Sequence, residues 1–226
     1  SPVVVKSNAI ITNDTVAING KITINYGEDM DESAKKVANY KIDGLGLPEG
    51  STIDFVGGTQ SVVITLPEGS YSKTQQALLS ISTDVKTKAG SSVVVNAQSK
   101  APVDRLLTFT DNTKPELAAA EFLVDNTTQT TTTRVKVMFS ENLGNAGDID
   151  DYSVVVNGVK QSVTAVNDVT ANDKYVILTL GNAVNVSQAA TISIVPEGTL
   201  NTTIAVGDIA TNKATTAKAV TAATVT

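Results

Sequence analysis

The chain repeats itself. The stretch "KITINYGEDMDESAKKVANYKIDG" in its first half runs in step with "RVKVMFSENLGNAGDIDDYSVVVNG" in its second. Each begins as an alternating strand, ends it on an aromatic residue, and continues through a small residue to Glu28 or Glu141. Each then crosses a variable loop to a tyrosine, a second strand and an Asp-Gly or Asn-Gly pair. Further on, "SVVITL" matches "YVILTL", "LLSIST" matches "ATISIV", and "DVKTKAGSSVVV" matches "DIATNKATTAKAV", with an insertion before Asp208. The period, about 113 residues, is too long for a solenoid and suits whole domains in tandem. A chain of 226 residues has room for two such domains, since single cores form comfortably at about 100 residues. The join falls in "SKAPVDRLLTFTDNTKP", whose turn residues precede the fixed φ of Pro115. The expected domains are therefore 1–112 and 113–226.

The local pattern is β throughout. Apolar and polar residues alternate in Lys21 to Tyr26, Arg134 to Phe139 and Tyr152 to Gly158. Branched Val, Ile and Thr dominate these runs, as they do on a half-buried pleated surface. Many short strands separated by turn signals predict an all-β fold, with each half an immunoglobulin-like β-sandwich. Asp43-Gly44 and Asn157-Gly158 are the strongest turns, because both residues of each pair tolerate positive φ. Ser33 to Val37 is expected to make a turn or two of helix, and "PELAAAEF" is read as a strand despite its alanines. The run from Thr127 to Thr133 suits an exposed hairpin loop or edge strand.

Composition then removes whole classes of function. The chain has no histidine, cysteine or tryptophan. Disulfide frameworks, thiolate zinc sites, cysteine nucleophiles and Ser-His-Asp triads are thereby excluded. A formal net charge of −6 without a basic cluster argues against nucleic acid as a partner. No apolar run is long enough for a transmembrane helix, and the opening "SPVVVKSNAI" has neither region of a signal peptide. The abrupt start and the low-information "KATTAKAVTAATVT" at the end read as a mature segment of a longer protein. Targeting and anchoring parts would then lie outside it.

The acidic residues pose the remaining question. "ENLGNAGDIDDY" fails the spacing of an EF-hand loop. A dispersed oxygen site for Ca²⁺ stays open, because that ion accepts carboxylates and amide carbonyls from separate loops. Glu141 and Glu28 end equivalent strands at a sheet rim; Asp111 and Asn112 would join Glu141 if the turn between domains folds over that rim. Asp208 and its first-half equivalent Asp84 complete the candidates. Against this stands the plain alternative of solvated loop residues making Asx turns. Catalysis is not expected: a two-carboxylate glycosidase needs aromatic platforms, whereas Tyr26, Tyr40, Tyr152 and Tyr175 read as core or corner residues. Only Tyr71 reads as free. "VGGTQ" has neither the spacing nor the lysine of a phosphate loop. Glycosylation triplets at Asn13, Asn126, Asn185 and Asn201 are expected by chance in a chain so rich in Asn and Thr.

The ordered set "VKVMFSENL", "YSVVVNG", "VILTL" and "DIATNKA" resembles the tandem immunoglobulin-like modules of surface-layer (S-layer) proteins of Gram-positive bacilli. Similar modules occur in other large bacterial surface proteins and adhesins. Both halves carry the pattern, although the first has Tyr26-Gly27 in place of Phe-Ser and lacks the "DNTKP" linker before it. The second has Asp151 where the family has Asn, and Asn212 without the preceding glycine.

The resemblance implies a non-enzymatic structural module pair on the bacterial cell surface, contributing to a self-assembling lattice. Its partners would be other copies of the parent protein and neighbouring domains of the same chain. The resemblance also implies Ca²⁺ that stiffens the domain array. Its ligands would be Asp111, Asn112, Glu141 and Asp208 in the second module, and Glu28 and Asp84 in the first. Two other expectations are an adhesin or ligand-binding surface module, and an accessory domain pair of a secreted enzyme.

Overall fold

A computed structural model describes residues 10–11, 13–94, 102–167 and 174–195, and the backbone alone at 4–5, 207–208 and 220–224. The chain divides into two compact units, Ser1–Thr113 and Lys114–Thr226. The described residues form strands and three short 3₁₀ turns.

Unit 1 carries β1 (Val4–Val5), β2 (Thr15–Val16), β3 (Lys21–Asn25), β4 (Tyr40–Ile42), β5 (Leu45–Gly46), β6 (Thr52–Phe55), β7 (Ser61–Thr65), β8 (Gln75–Ile81), β9 (Val93–Val94) and β10 (Val103–Phe109). They make a five-stranded sheet in the order β2-β10-β8-β4-β5 and a three-stranded sheet in the order β3-β7-β6, with β1 and β9 paired apart. The reason is periodicity. In β3 the side chains of Ile22 and Ile24 are buried while Lys21, Thr23 and Asn25 are exposed, and β7 turns Val62 and Ile64 the same way. The apolar faces of the two sheets close on one core containing Tyr26, Tyr40, Leu79, Leu107 and Phe109. Chain entry is shared between the sheets: Ile11 bridges Ile24 of β3, and Thr15–Val16 then runs parallel to β10. Gly20 is needed where the chain turns into β3. Its φ is +69°, and a Cβ there would stand 2.7 Å from the Leu66 carbonyl oxygen.

Unit 2 repeats this plan with β11 (Leu117–Phe122), β12 (Thr131–Phe139), β13 (Leu143–Asn145), β14 (Tyr152–Val156), β15 (Val159–Gln161), β16 (Val163–Asn167), β17 (Tyr175–Asn185), β18 (Ala190–Ile194), β19 (Gly207–Asp208) and β20 (Val220–Thr224). Here one continuous order, β15-β14-β18-β20-β11-β12-β17-β16, covers both faces. β11 makes the continuity: it runs antiparallel to β12, with an irregularity between Leu117 and Ala119, and parallel to β20. Two packed sheets with a first strand shared between them are the immunoglobulin-like sandwich. The chain is thus a tandem of such domains. Its second core contains Phe122, Val135, Val137, Val154, Leu178 and Ile192.

Several local expectations match the structure. Asp43 and Gly44 have φ of 50° and 77°, Asn157 and Gly158 of 51° and 77°. Two successive positive φ values define a type I′ turn, and these turns close the β4–β5 and β14–β15 hairpins. "PELAAAEF" is strand β11. The helical turn in the first half is two 3₁₀ pieces, Glu32–Lys35 and Val37–Asn39.

Candidate functional site

The acidic residues singled out above fall into three groups, and the structure gives each a different employment. Asp111 and Asn112 are buried at the end of unit 1. The Asn112 backbone N–H donates to the Tyr71 carbonyl at 3.1 Å, and its carbonyl accepts from the Gly69 N–H at 3.0 Å. Its side-chain Oδ1 accepts from the Tyr71 N–H at 2.9 Å, while Nδ2 donates to the Pro67 carbonyl at 3.1 Å. Four bonds therefore fasten this segment to the loop from Pro67 to Tyr71. Asp111 accepts from the Thr113 N–H at 2.9 Å, an Asx turn, and Thr113 Oγ1 donates to the Tyr71 carbonyl. Tyr71 is not free: its ring stacks on Phe109 with centroids 4.6 Å apart. The sequence reading missed this loop. Its signal was "LPEG", present at Leu47 and again at Leu66.

Glu28 and Glu141 both follow the strand that ends at the core aromatic. Glu28 is exposed, whereas Glu141 is half-buried with its Oε1 shielded from solvent. In unit 2, Leu143 pairs with Asp208. The backbone positions of Glu141 and Asp208 are thereby brought to one rim; the Asp208 side chain lies outside the described residues. In unit 1, Met30 is the position corresponding to Leu143, and it bridges Thr87 rather than Asp84. Asp84 is exposed three residues earlier, its N–H bonded to Ser82 Oγ at 3.0 Å. The segment facing Met30 carries two lysines: the Asp31 N–H donates to the Lys86 carbonyl, and the Lys88 N–H to the Asp29 carbonyl.

These positions allow the calcium expectation to be weighed. Among the described residues no group of three or more Asp and Glu side chains stands ready to hold a metal ion. At the first rim, Lys86 and Lys88 bring like charge to any cation, and the acids do not fit Ca²⁺. At the second rim, one half-buried carboxylate and the Asp208 position supply part of an oxygen set. Asn112 uses both ends of its amide in unit 1.

The crowded acids from Asp148 to Asp151 serve the backbone. Asp148 Oδ1 accepts from the Ile149 N–H at 2.6 Å, and the Asp148 N–H donates to Asp151 Oδ2 at 2.7 Å. This reciprocal pair is a capping box around the 3₁₀ turn Ile149–Asp151, and it accounts for a carboxylate as buried as Asp151. In unit 1, Asp31 caps the equivalent turn by accepting from the Ser33 N–H at 2.8 Å. Asn126 and Asn185, the two glycosylation triplets among the described residues with strand neighbours on both sides, make Asx turns to Thr128 and Ser187.

The most perturbed titratable groups are structural. Tyr40 OH donates to the Ala34 carbonyl at 2.7 Å and lies 2.6 Å from Tyr26 OH. Since a hydroxyl has one proton, Tyr26 is the donor to Tyr40. Burial pushes both phenols above their ordinary pKa, Tyr26 the further, with the Tyr40 neighbour adding to it. Burial also raises Tyr71, with the Asp43 charge contributing. The cleft in unit 1, of about 540 Å³, is open and lined mainly by Asn39, Lys41, Ser80, Ser82, Asp84 and Pro102. It offers no aromatic platform or apolar floor of the kind that buries a ligand. No helix among the described residues is long and apolar enough to cross a membrane.

No protein-family model matches the chain, and no curated protein sequence matches it. Solved structures do. An I-band fragment of titin matches over 95% of this chain and 62% of that one, at 10% identity and a TM-score of 0.35. The N-terminal part of the bacterial S-layer protein SbsC matches over 96% and 44%, at 10% identity and a TM-score of 0.31. The N-terminal eight Ig domains of Down Syndrome Cell Adhesion Molecule match over 81% and 25%, at 12% identity and a TM-score of 0.29. The chain spans about three fifths of the length of the titin fragment. At these TM-scores the likeness bears on neither activity nor partner.

Proposed function

We propose that this chain is a structural module pair of a bacterial cell-surface protein of the S-layer kind, placed outside the cell and contributing to a self-assembling lattice. One observation carries the reading. Two sandwiches of the same plan stand in tandem, and their acids and amides are spent on turns, caps and loop clamps. Asp31, Asp148, Asp151, Asp111 and Asn112 all bond to backbone N–H groups of their own unit. Side chains used this way stiffen a module instead of meeting a substrate. The ordered motifs shared with S-layer modules add the cellular setting.

Calcium belongs to the proposal at the rim of unit 2 only, through Glu141 and Asp208, with Asp111 and Asn112 as the further ligands the resemblance implies. Glu28 and Asp84 are left out because Lys86 and Lys88 share their rim. Immunogold electron microscopy of intact source cells, with antibody raised against this chain, tests the placement. Label in a periodic array on the cell surface supports the reading. Label confined to the cell interior, or spread without order on the surface, contradicts it.

A further inference from the structure

A sandwich domain has weak points where its sheets end, because an edge strand presents unpaired N–H and C=O groups to any strand that fits. In unit 1 each edge carries a device against this. β2 and β5 are two residues long. β6 is four residues, with exposed Asp54 in it; it is approached through Pro48, Glu49 and a Ser51 N–H to Pro48 carbonyl turn, and the Lys35 ammonium lies 5.2 Å from the Phe55 ring. In unit 2 the edges are β15 and β16. β15 is three residues and contains Lys160.

β16 differs from all of these. It reads Val163-Thr-Ala-Val-Asn167, five residues without a charge or a proline. Its neighbour on one side is β17, and among the described residues no strand lies on the other. A register irregularity touches only its beginning, between Val163 and Ala165; Ala165, Val166 and Asn167 follow in consecutive register with Thr179, Leu178 and Ile177. β-branched residues favour the extended form this edge already has. The chain as a whole carries a net charge of −6, so two copies repel over most approaches and least along an uncharged edge.

We infer that β16 pairs antiparallel with β16 of a second copy of this chain, making a two-fold contact in which the same edge serves both partners. The inference rests on the reading of the chain as part of a self-assembling layer, and it assigns that layer one of its contacts. A five-residue edge buries little surface, so each contact is weak and gains its effect from the many repeated contacts of a lattice.

Analytical ultracentrifugation of the intact chain, up to about 1 mM, tests it. The expected result is reversible self-association, weakened about tenfold or more by T164K/N167K, which sets like charges across the edge. Leu106→Lys, on an exposed face of unit 1, should leave association unchanged. Because the chain has no cysteine, Thr164→Cys gives a second readout that leaves the strand intact. Mild oxidation should link it into a covalent dimer, and Leu106→Cys should remain a monomer. A chain that stays monomeric throughout the range, or association that T164K/N167K does not weaken, overturns the edge contact. So does equal cross-linking of the two cysteine variants. None of these outcomes moves the gold label on cells, so the edge can fail while the surface reading stands.

Discussion

Where unit 1 ends its third strand on Tyr26, unit 2 ends the corresponding strand on Phe139, and both rings are buried. The difference of one hydroxyl changes how each core is satisfied. In unit 2, Tyr152 OH donates to the Ala146 carbonyl and Phe139 asks for nothing. In unit 1, Tyr26 adds a hydroxyl that only Tyr40 satisfies, and Tyr40 passes its own proton to the Ala34 carbonyl. The shared plan therefore tolerates either an apolar core position or a linked pair. The pair makes unit 1 the more sensitive to loss of one member, since a buried polar group left without a partner costs more than a bond is worth.

The largest expected effect breaks that pair. Tyr40→Phe removes the acceptor for Tyr26 and the donor for Ala34 at once, and should cost about 2–4 kcal/mol in urea unfolding. Tyr26→Phe, which copies unit 2, should cost about 1 kcal/mol. Equal losses in the two variants would show that the hydroxyls are not coupled.

Alkali sharpens the same contrast. The folded state holds the Tyr26 and Tyr40 protons more tightly than the unfolded chain does. Their contribution is fully present below the ordinary tyrosine pKa of about 10 and falls as pH rises through the raised folded values. Melting temperature should decline above that pH, and Tyr26→Phe should soften the decline. A variant that follows the same pH curve as the parent would contradict this.

The two type I′ turns supply the next comparison. Asp43 Oδ1 accepts from the Leu78 N–H at 2.8 Å, a link from hairpin to neighbouring strand, while the Asn157 side chain has no corresponding bond among those described. Replacing either with Ala puts a Cβ residue in the left-handed region at about 1 kcal/mol. Asp43→Ala should add about 1 kcal/mol for the lost bond. Asp148→Ala, which opens the capping box, should cost about 1 kcal/mol. It should leave unit 1 signals in NMR spectra unmoved; shifts across unit 1 would show that the cap acts beyond its own module.

The duplication made much of this legible in advance. Aligning the halves exposed the turns at Asp43 and Asn157, the buried tyrosines, and the strand character of Leu117–Phe122, because each was seen twice. Alternation of Ile22, Ile24, Val62 and Ile64 marked the core faces. The employment of polar residues was less visible. Asn112 looked like a ligand because its partners, Pro67, Gly69 and Tyr71, lie more than forty positions away, and nothing local to Asn112 announces them. Asp84 looked like the twin of Asp208, yet it is Thr87 that bridges Met30. Sequence similarity had aligned letters across a loop whose backbone pairs three residues later. β16 is the opposite case: its missing charge is plain in the sequence, and acquires meaning only once it is placed at the end of a sheet.

The central claim is that these modules work as scaffold, through contacts between copies, and not through a ligand pocket. Hydrogen exchange on the protein in its assembled surface layer, compared with the dispersed chain, tests it most directly. The account predicts slowed exchange concentrated at sheet edges and rims, with the Thr164 to Asn167 amides among the most affected. Exchange that is identical in the two states, or protection centred on the cleft at Lys41, Ser82 and Asp84, would contradict it.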